Sequence, residues 1–275
     1  MDINNLQKKA TEIRMGIIEA VHSAKSGHPG GSLSVTDILT YLYFEKMNID
    51  PENPKMETRD RFVLSKGHAA PAIYSTLACR GFFCECELKK LRHTGALLQG
   101  HPDMRKIPGI DMSTGSLGQG ISAAAGMALS AKHFGENHRI YCACGDGEME
   151  EGQVWEAAMF AAHKKLNNLT VFIDLNGLQI DGPITEVNSP LPIDEKFRAF
   201  NWNVIVINGH DFNEIDNAVK SAIACTDRPT AIVANTVKGK GVSFMENNVA
   251  WHGTAPNDEQ YEKAMSELRA TLASL

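Results

Sequence analysis

The stretch from Arg139 to Gly182, RIYCACGDGEMEEGQVWEAAMFAAHKKLNNLTVFIDLNGLQIDG, constrains the fold more than any other part of the chain. An apolar run stops at Gly145-Asp146-Gly147, an acidic helical segment follows, and a second apolar run stops at Asp174-Leu175-Asn176. The pattern is strand, helix, strand, with an oxygen-bearing side chain at the end of each strand. Asp146 and Asn176 stand thirty positions apart, about one such unit, so a right-handed crossover brings both to one sheet edge.

A carboxylate with an amide oxygen, completed by backbone carbonyls and water, is a hard site suited to Mg²⁺ or Ca²⁺. So sparse a site needs further oxygens from its ligand. A diphosphate supplies them, and Gly147 lets the N–H groups at the start of the next helix face its negative charge. An isolated Asp-Gly pair is more often a turn than a metal site, and it is the second strand end that favours the ligand reading.

The rest of the chain continues the alternation. Leu6, Ala10, Ile13, Ile17 and Val21 recur at helical spacing, which predicts an amphipathic helix over 4–25. Ser26 to Gly31 reads as a break, with a second helix starting at Ser34 and ending near Lys46. A short strand at Arg61–Leu64 runs into Ser65-Lys66-Gly67-His68, the way open parallel sheets present ligand groups, and a helix follows from Ala69 to Arg80. Cys86 to His93 predicts a short helix, and the chain is irregular from there to Thr114. Further helices are expected over 121–134, 213–224 and 257–273, and further strands over 203–207 and 230–236. Gly118-x-Gly120-x-x-Ala123 matches a loose dinucleotide fingerprint, but no strand precedes it, so its glycines are read as close backbone approaches. The fold class that follows is α/β: a mainly parallel sheet covered by helices on both faces, as a single domain over 1–275.

With 33 acidic and 27 basic residues the chain has a formal charge of −6 and no basic block, so nucleic acid is not an expected partner. The charged N-terminal segment lacks the pattern of a signal peptide, and no apolar run reaches membrane-spanning length. A cytoplasmic protein with no membrane partner is expected. The cysteines, including Cys84-Glu-Cys86 and Cys142-Ala-Cys144, have the wrong spacing for a zinc knuckle and read as reduced thiols, the second pair sharing one strand face.

Four histidines, His28, His68, His101 and His252, occur in glycine-rich loops, with His210 a less clear fifth. One such residue is usually a solvated or capping side chain. Four of them predict a polar pocket for an oxygen-rich substrate, where imidazoles donate, accept and shuttle protons.

GDGEMEEGQVWEA with DLNGLQIDG resembles the thiamine diphosphate motif. SGHPGG, DRFVLSKGHAAP, GHPD, TGSLGQG, VKGKG and WHG together resemble the transketolase family, in family order from residue 26 to 253. The resemblance implies that Asp146, Asn176 and the Leu178 carbonyl hold Mg²⁺, for which Ca²⁺ or Mn²⁺ can substitute. It implies that Lys66, His68, Gly147, Asn176, Lys238 and His252 contact the diphosphate or its surroundings, and that Gly115, Leu117 and Ile180 shape the cofactor pocket. His28, His101 and His252 would line the substrate channel as catalytic groups, and Glu151 and Glu156 would link paired active sites. For these two glutamates, helix N-terminal acids complementing the dipole is an equally sufficient reading.

The reaction so implied is transfer of a two-carbon ketol unit from a ketose phosphate to an aldose phosphate. A full transketolase carries a pyrimidine-binding domain and a further domain that do not follow Leu275. The expectation is therefore a half-enzyme, active only with a separately encoded C-terminal subunit, as an α2β2 assembly. The alternatives are a split enzyme acting on other sugars, half of a deoxyxylulose-phosphate synthase, the α subunit of a 2-oxo acid dehydrogenase, and a non-catalytic diphosphate-binding module.

Overall fold

A computed structural model describes residues 1–275. Its centre is a five-stranded, wholly parallel sheet of β1 (Arg61–Leu64), β2 (Ile140–Gly145), β3 (Leu169–Leu175), β6 (Asn203–Asn208) and β7 (Thr230–Asn235), in the order β1-β2-β3-β7-β6. A two-stranded antiparallel hairpin, β4 (Leu178–Gln179) with β5 (Gly182–Pro183), projects just beyond β3.

The helices divide between the two faces because side chains alternate along each strand. Tyr141 and Ala143 of β2 enter one core with α1 (Ile3–Ala24), α2 (Pro29–Ser34), α3 (Thr36–Tyr41), α4 (Ala70–Arg80), α9 (Phe212–Ala224) and α10 (Asp258–Ser274). Ile140, Cys142 and Cys144 enter the other with α5 (Gln119–Phe134), α6 (Gly152–His163) and α8 (Ile193–Ala199). A one-turn helix, α7 (Ile184–Val187), follows the hairpin. Ile13, Ile17 and Val21 of α1 are fully buried, each contributing roughly 1.5–3 kcal/mol by leaving water.

Several local expectations are corrected. Ser26 to Gly31 is not a continuous break: α2 begins at Pro29, whose fixed φ suits a first helical position, and Ser32 Oγ donates back to the His28 carbonyl at 2.7 Å. Ser34 ends that helix instead of starting the next, and the predicted second helix divides into α3 and a wider turn over Leu42–Lys46. The segment after Cys84 is 3₁₀ over Glu85–Lys90. Cys84 and Cys86 pair with each other as a disulfide, against the reading of all cysteines as reduced, whereas Cys142 and Cys144 are free and share a buried face.

No helix is long and apolar enough to cross a membrane.

Candidate active site

The site is built where β1, β2, β3 and β7 end. Because the strands are parallel and in register, Leu64, Ala143, Phe172 and Ile232 sit side by side and the loops after them converge. β2 ends at Gly145, and Asp146 opens a 3₁₀ turn over Gly147–Glu150. Its carboxylate accepts the Gly147 N–H at 2.8 Å and, across the strand boundary, the Gly177 N–H at 2.6 Å. Gly177 has φ of +79°, which turns the chain after β3 and aims that N–H. Asn176 Oδ1 accepts the Leu178 N–H at 3.1 Å, and the Leu178 carbonyl accepts from Lys238 Nζ at 3.0 Å. Asp146, Asn176 and Leu178 thus border one cavity at two neighbouring strand ends, the placement that the spacing of Asp146 and Asn176 predicts.

Asp146 is buried, and no lysine, arginine or histidine side chain pairs with its carboxylate. Burial, and then the nearby charge of Asp174, push its carboxyl up to about 6, against the opposing hydrogen bonds of Gly177 and Gly147 and the charge of Lys66. A buried carboxylate short of positive charge, beside an amide and a carbonyl oxygen, is a donor set that a hard divalent cation completes.

Two lysines supply charge of the other sign. Lys66, 1% exposed at the end of β1, pairs with the fully buried Asp174 of β3. Asp174 also accepts from Ser34 Oγ at 2.6 Å and from Thr236 Oγ1. Burial opposes its ionisation, but Lys66 and the two hydroxyls hold the carboxyl below its usual range. Lys238, 2% exposed, has only the Leu178 carbonyl as partner, and burial together with Lys66 draws its ammonium down to about 8. Glu148 ties the surrounding loops together by accepting Ser65 Oγ, the Gly118 N–H at 2.8 Å and the Gly145 N–H at 3.0 Å.

The histidines come from separate loops. His28 caps α2, His68 lies in the 3₁₀ turn after β1, and His252 follows β7. Their rings lie 5.3 Å (His28–His68), 5.5 Å (His28–His252) and 5.3 Å (His68–His252) apart. Burial is the main cause that keeps all three neutral: His28 is drawn down to about 4 and His252 to about 3, with His68 well below its usual value. Nδ1 of His28 and Nδ1 of His252 are buried without a hydrogen-bond partner. His101 packs on Gly115, where an added Cβ would stand 2.9 Å from the ring.

A cavity of about 360 Å³ opens here. Of the residues singled out in the sequence, Lys66, His68, Gly115, Leu117, Asp146, Gly147, Glu151, Asn176, Leu178, Ile180, Lys238 and His252 border it. His28 and His101 stand beside it through His252 and Gly115. Glu156 does not border it and lies exposed on α6. His210 is engaged elsewhere, with Asp37 and Val237. A larger cavity, about 520 Å³, lies among α1, α4 and α10, but no strand end reaches it. Sequence reasoning gives no role to Asp174 or Glu148, and the available signal is an aspartate inside the otherwise apolar run TVFIDL.

Comparison with known proteins matches residues 6–271 to the family model for transketolase, thiamine diphosphate binding domain.

The chain belongs to the transketolase family.

It is 47% identical over 264 residues to a 6-deoxy-6-sulfo-D-fructose transketolase subunit, SqwG, of Clostridium sp. (strain MSTE9), covering 96% of each chain. It is 40% identical to one subunit of the apulose-4-phosphate transketolase of Phocaeicola vulgatus, over 100% of this chain and 98% of the relative. The solved transketolase of Campylobacter jejuni superposes with a TM-score of 0.92 at 33% identity, over 100% of this chain and 46% of that one. The transketolase fold expected from the motifs is therefore the fold observed. The chain spans about half the length of the solved transketolase it matches, and nearly all of the relatives named as subunits.

Proposed function

We propose that this chain, as one domain, binds the diphosphate of thiamine diphosphate through a divalent cation and forms the N-terminal half of a two-chain transketolase. The observation that carries the proposal is the charge pattern of one cavity. Two buried lysines, of which only Lys66 has a carboxylate partner, stand with Asp146, which pairs with neither, and with three neutral histidines. An anion together with a divalent cation satisfies both halves of that pattern.

Asp146, Asn176 and the Leu178 carbonyl would hold the cation, Mg²⁺ or in its place Ca²⁺ or Mn²⁺. Lys66 and Lys238 would balance the diphosphate, with the Gly147 N–H facing it. Bound thiamine diphosphate supplies the electron sink for the two-carbon unit. His28, His101 and His252 bind sugar hydroxyls, and as neutral imidazoles they take or give a proton at the carbonyl and hydroxyl oxygens. Glu151 and Glu156 lie on a surface with Met159 (57% exposed) and Phe160 (39% exposed), which suits a role across an interface with a second copy. We place the enzyme in the cytoplasm as an α2β2 assembly with a pyrimidine-binding partner chain.

The test mixes this chain with a purified transketolase C-terminal subunit, thiamine diphosphate, Mg²⁺, xylulose 5-phosphate and ribose 5-phosphate. Turnover by the mixture and by neither chain alone is expected, and turnover by this chain alone would sink the two-chain reading. A second reading, a different sugar, is favoured by the names of its relatives, so the assay is repeated with 6-deoxy-6-sulfofructose and apulose 4-phosphate as donors.

A further inference from the structure

His210 stands apart from the other loop histidines because both ring nitrogens are committed. Nδ1 lies 2.7 Å from Asp37 Oδ2, and Nε2 lies 2.9 Å from the backbone nitrogen of Val237. An amide N–H can only donate, so Nε2 is the bare, accepting nitrogen and the proton sits on Nδ1, toward the carboxylate.

Asp37 is held from its other side. Arg14 Nη1 and Nη2 donate to its two oxygens at 3.0 and 2.6 Å, while Arg14 Nε donates to the Lys240 carbonyl at 3.1 Å. Burial opposes ionisation of Asp37, but Arg14 and the His210 hydrogen bond hold it below the usual carboxylate range. The connected groups form a bracket. One end grips the Val237 N–H, the other grips the Lys240 carbonyl, and Lys238 lies between them. Lys238 Nζ reaches from that gripped segment to the Leu178 carbonyl.

We propose that His210 is a positioning residue for Lys238: held at Nδ1 by Asp37 and accepting the Val237 N–H at Nε2, it fixes the backbone from which the ammonium reaches the diphosphate site. The consequence for ligand binding rests on the function proposed above, whereas the bracket is a property of the chain itself. Asp37 from α3 is the charged group bonded to His210, with Arg14 from α1 behind it.

The test measures amide hydrogen exchange over residues 236–247 in the full chain, at neutral pH and corrected for intrinsic rates, in wild type, His210→Gln and His210→Ala. His210→Ala should lose about tenfold in protection, as removal of a buried acceptor entails. His210→Gln carries an acceptor near the Nε2 position, so it should keep most of the protection. Equal protection in wild type and His210→Ala, or protection in His210→Gln as low as in His210→Ala, overturns the proposal. Calorimetry with inorganic pyrophosphate and Mg²⁺ then separates the two readings. Affinity that follows the exchange pattern supports both, whereas an intact exchange pattern without pyrophosphate binding upholds the bracket and sinks the diphosphate reading.

Discussion

Lys238 Nζ donates to the Leu178 carbonyl oxygen at 3.0 Å, so an ammonium engages one of the three oxygen donors gathered at the ends of β2 and β3. That contact joins the cation side of the site to its anion side. Lys238→Met keeps the length and apolar stem of the side chain and removes the charge. Affinity for Mg²⁺-pyrophosphate is expected to drop at least about tenfold, the loss of one charge-assisted contact, while the melting temperature changes little. Titration calorimetry with a parallel thermal melt checks it. Unchanged affinity would remove Lys238 from the diphosphate site.

Asp174 should matter to stability more than its absence from the cavity lining implies. Asp174→Asn leaves the Lys66 ammonium buried without a counter-charge, and the expected cost is about 3–5 kcal/mol. Adding Lys66→Met removes the orphaned charge and should recover a large part of that loss. Urea unfolding of the two single variants and the double variant measures the coupling, and strictly additive losses would contradict it.

Gly115→Ala tests the seat of His101. The glycine has φ of +148°, and a Cβ there would stand 2.9 Å from the imidazole. The substitution is expected to displace His101 and lower turnover in the reconstituted enzyme about tenfold or more, as misplacement of a reacting group does. Mg²⁺-pyrophosphate affinity should change less than turnover. An equal loss in both would mean that Gly115 acts on cofactor binding and not through His101.

The histidine cluster predicts an acid-sensitive fold. His28 and His252 are drawn down to about 4 and about 3, below the ordinary imidazole value, so the unfolded chain binds more protons than the native one between about pH 6.5 and those values. Their contribution to stability is complete above about pH 6.5 and is lost as pH falls toward 4. Asp146 acts the other way: its carboxyl, raised to about 6, makes the native state the better proton binder between 6 and the ordinary carboxylate value. The measurement is therefore a difference. Between about pH 6.5 and 4, His28→Asn with His252→Asn should lose less stability than wild type in denaturant titrations, and parallel losses would refute the assignment.

The motifs bring Asp146, Gly147 and Asn176 to the ends of strands, where the structure has them, because strand ends announce themselves locally. Apolar alternation stops, a glycine or polar residue follows, and the strand-helix-strand length leaves one pairing for β2 and β3. The helices at Ile184–Val187 and Ile193–Ala199 escape such a reading, because short helices carry too few turns to show a period. The start of α2 is hidden by glycines that usually mark loops, and its packing overrides their weak propensity: Gly30 and Gly31 are buried against Lys238 and Lys66.

What the sequence determined by itself was the alternation of strands and helices, the oxygen donors at two strand ends, and a histidine in each of several glycine-rich loops. These depend on neighbours a few residues apart. Only the tertiary structure decided which charge answers which. Lys66 meets Asp174 from 108 positions away, and Asp37 meets His210 from 173. Partners in a buried ion pair are chosen by which strand ends and helices the sheet order brings together, since in the absence of water each charge must be met by whatever the fold places beside it. The same ordering set His210 apart from the other loop histidines and left Lys238, with no carboxylate of its own, facing the cavity.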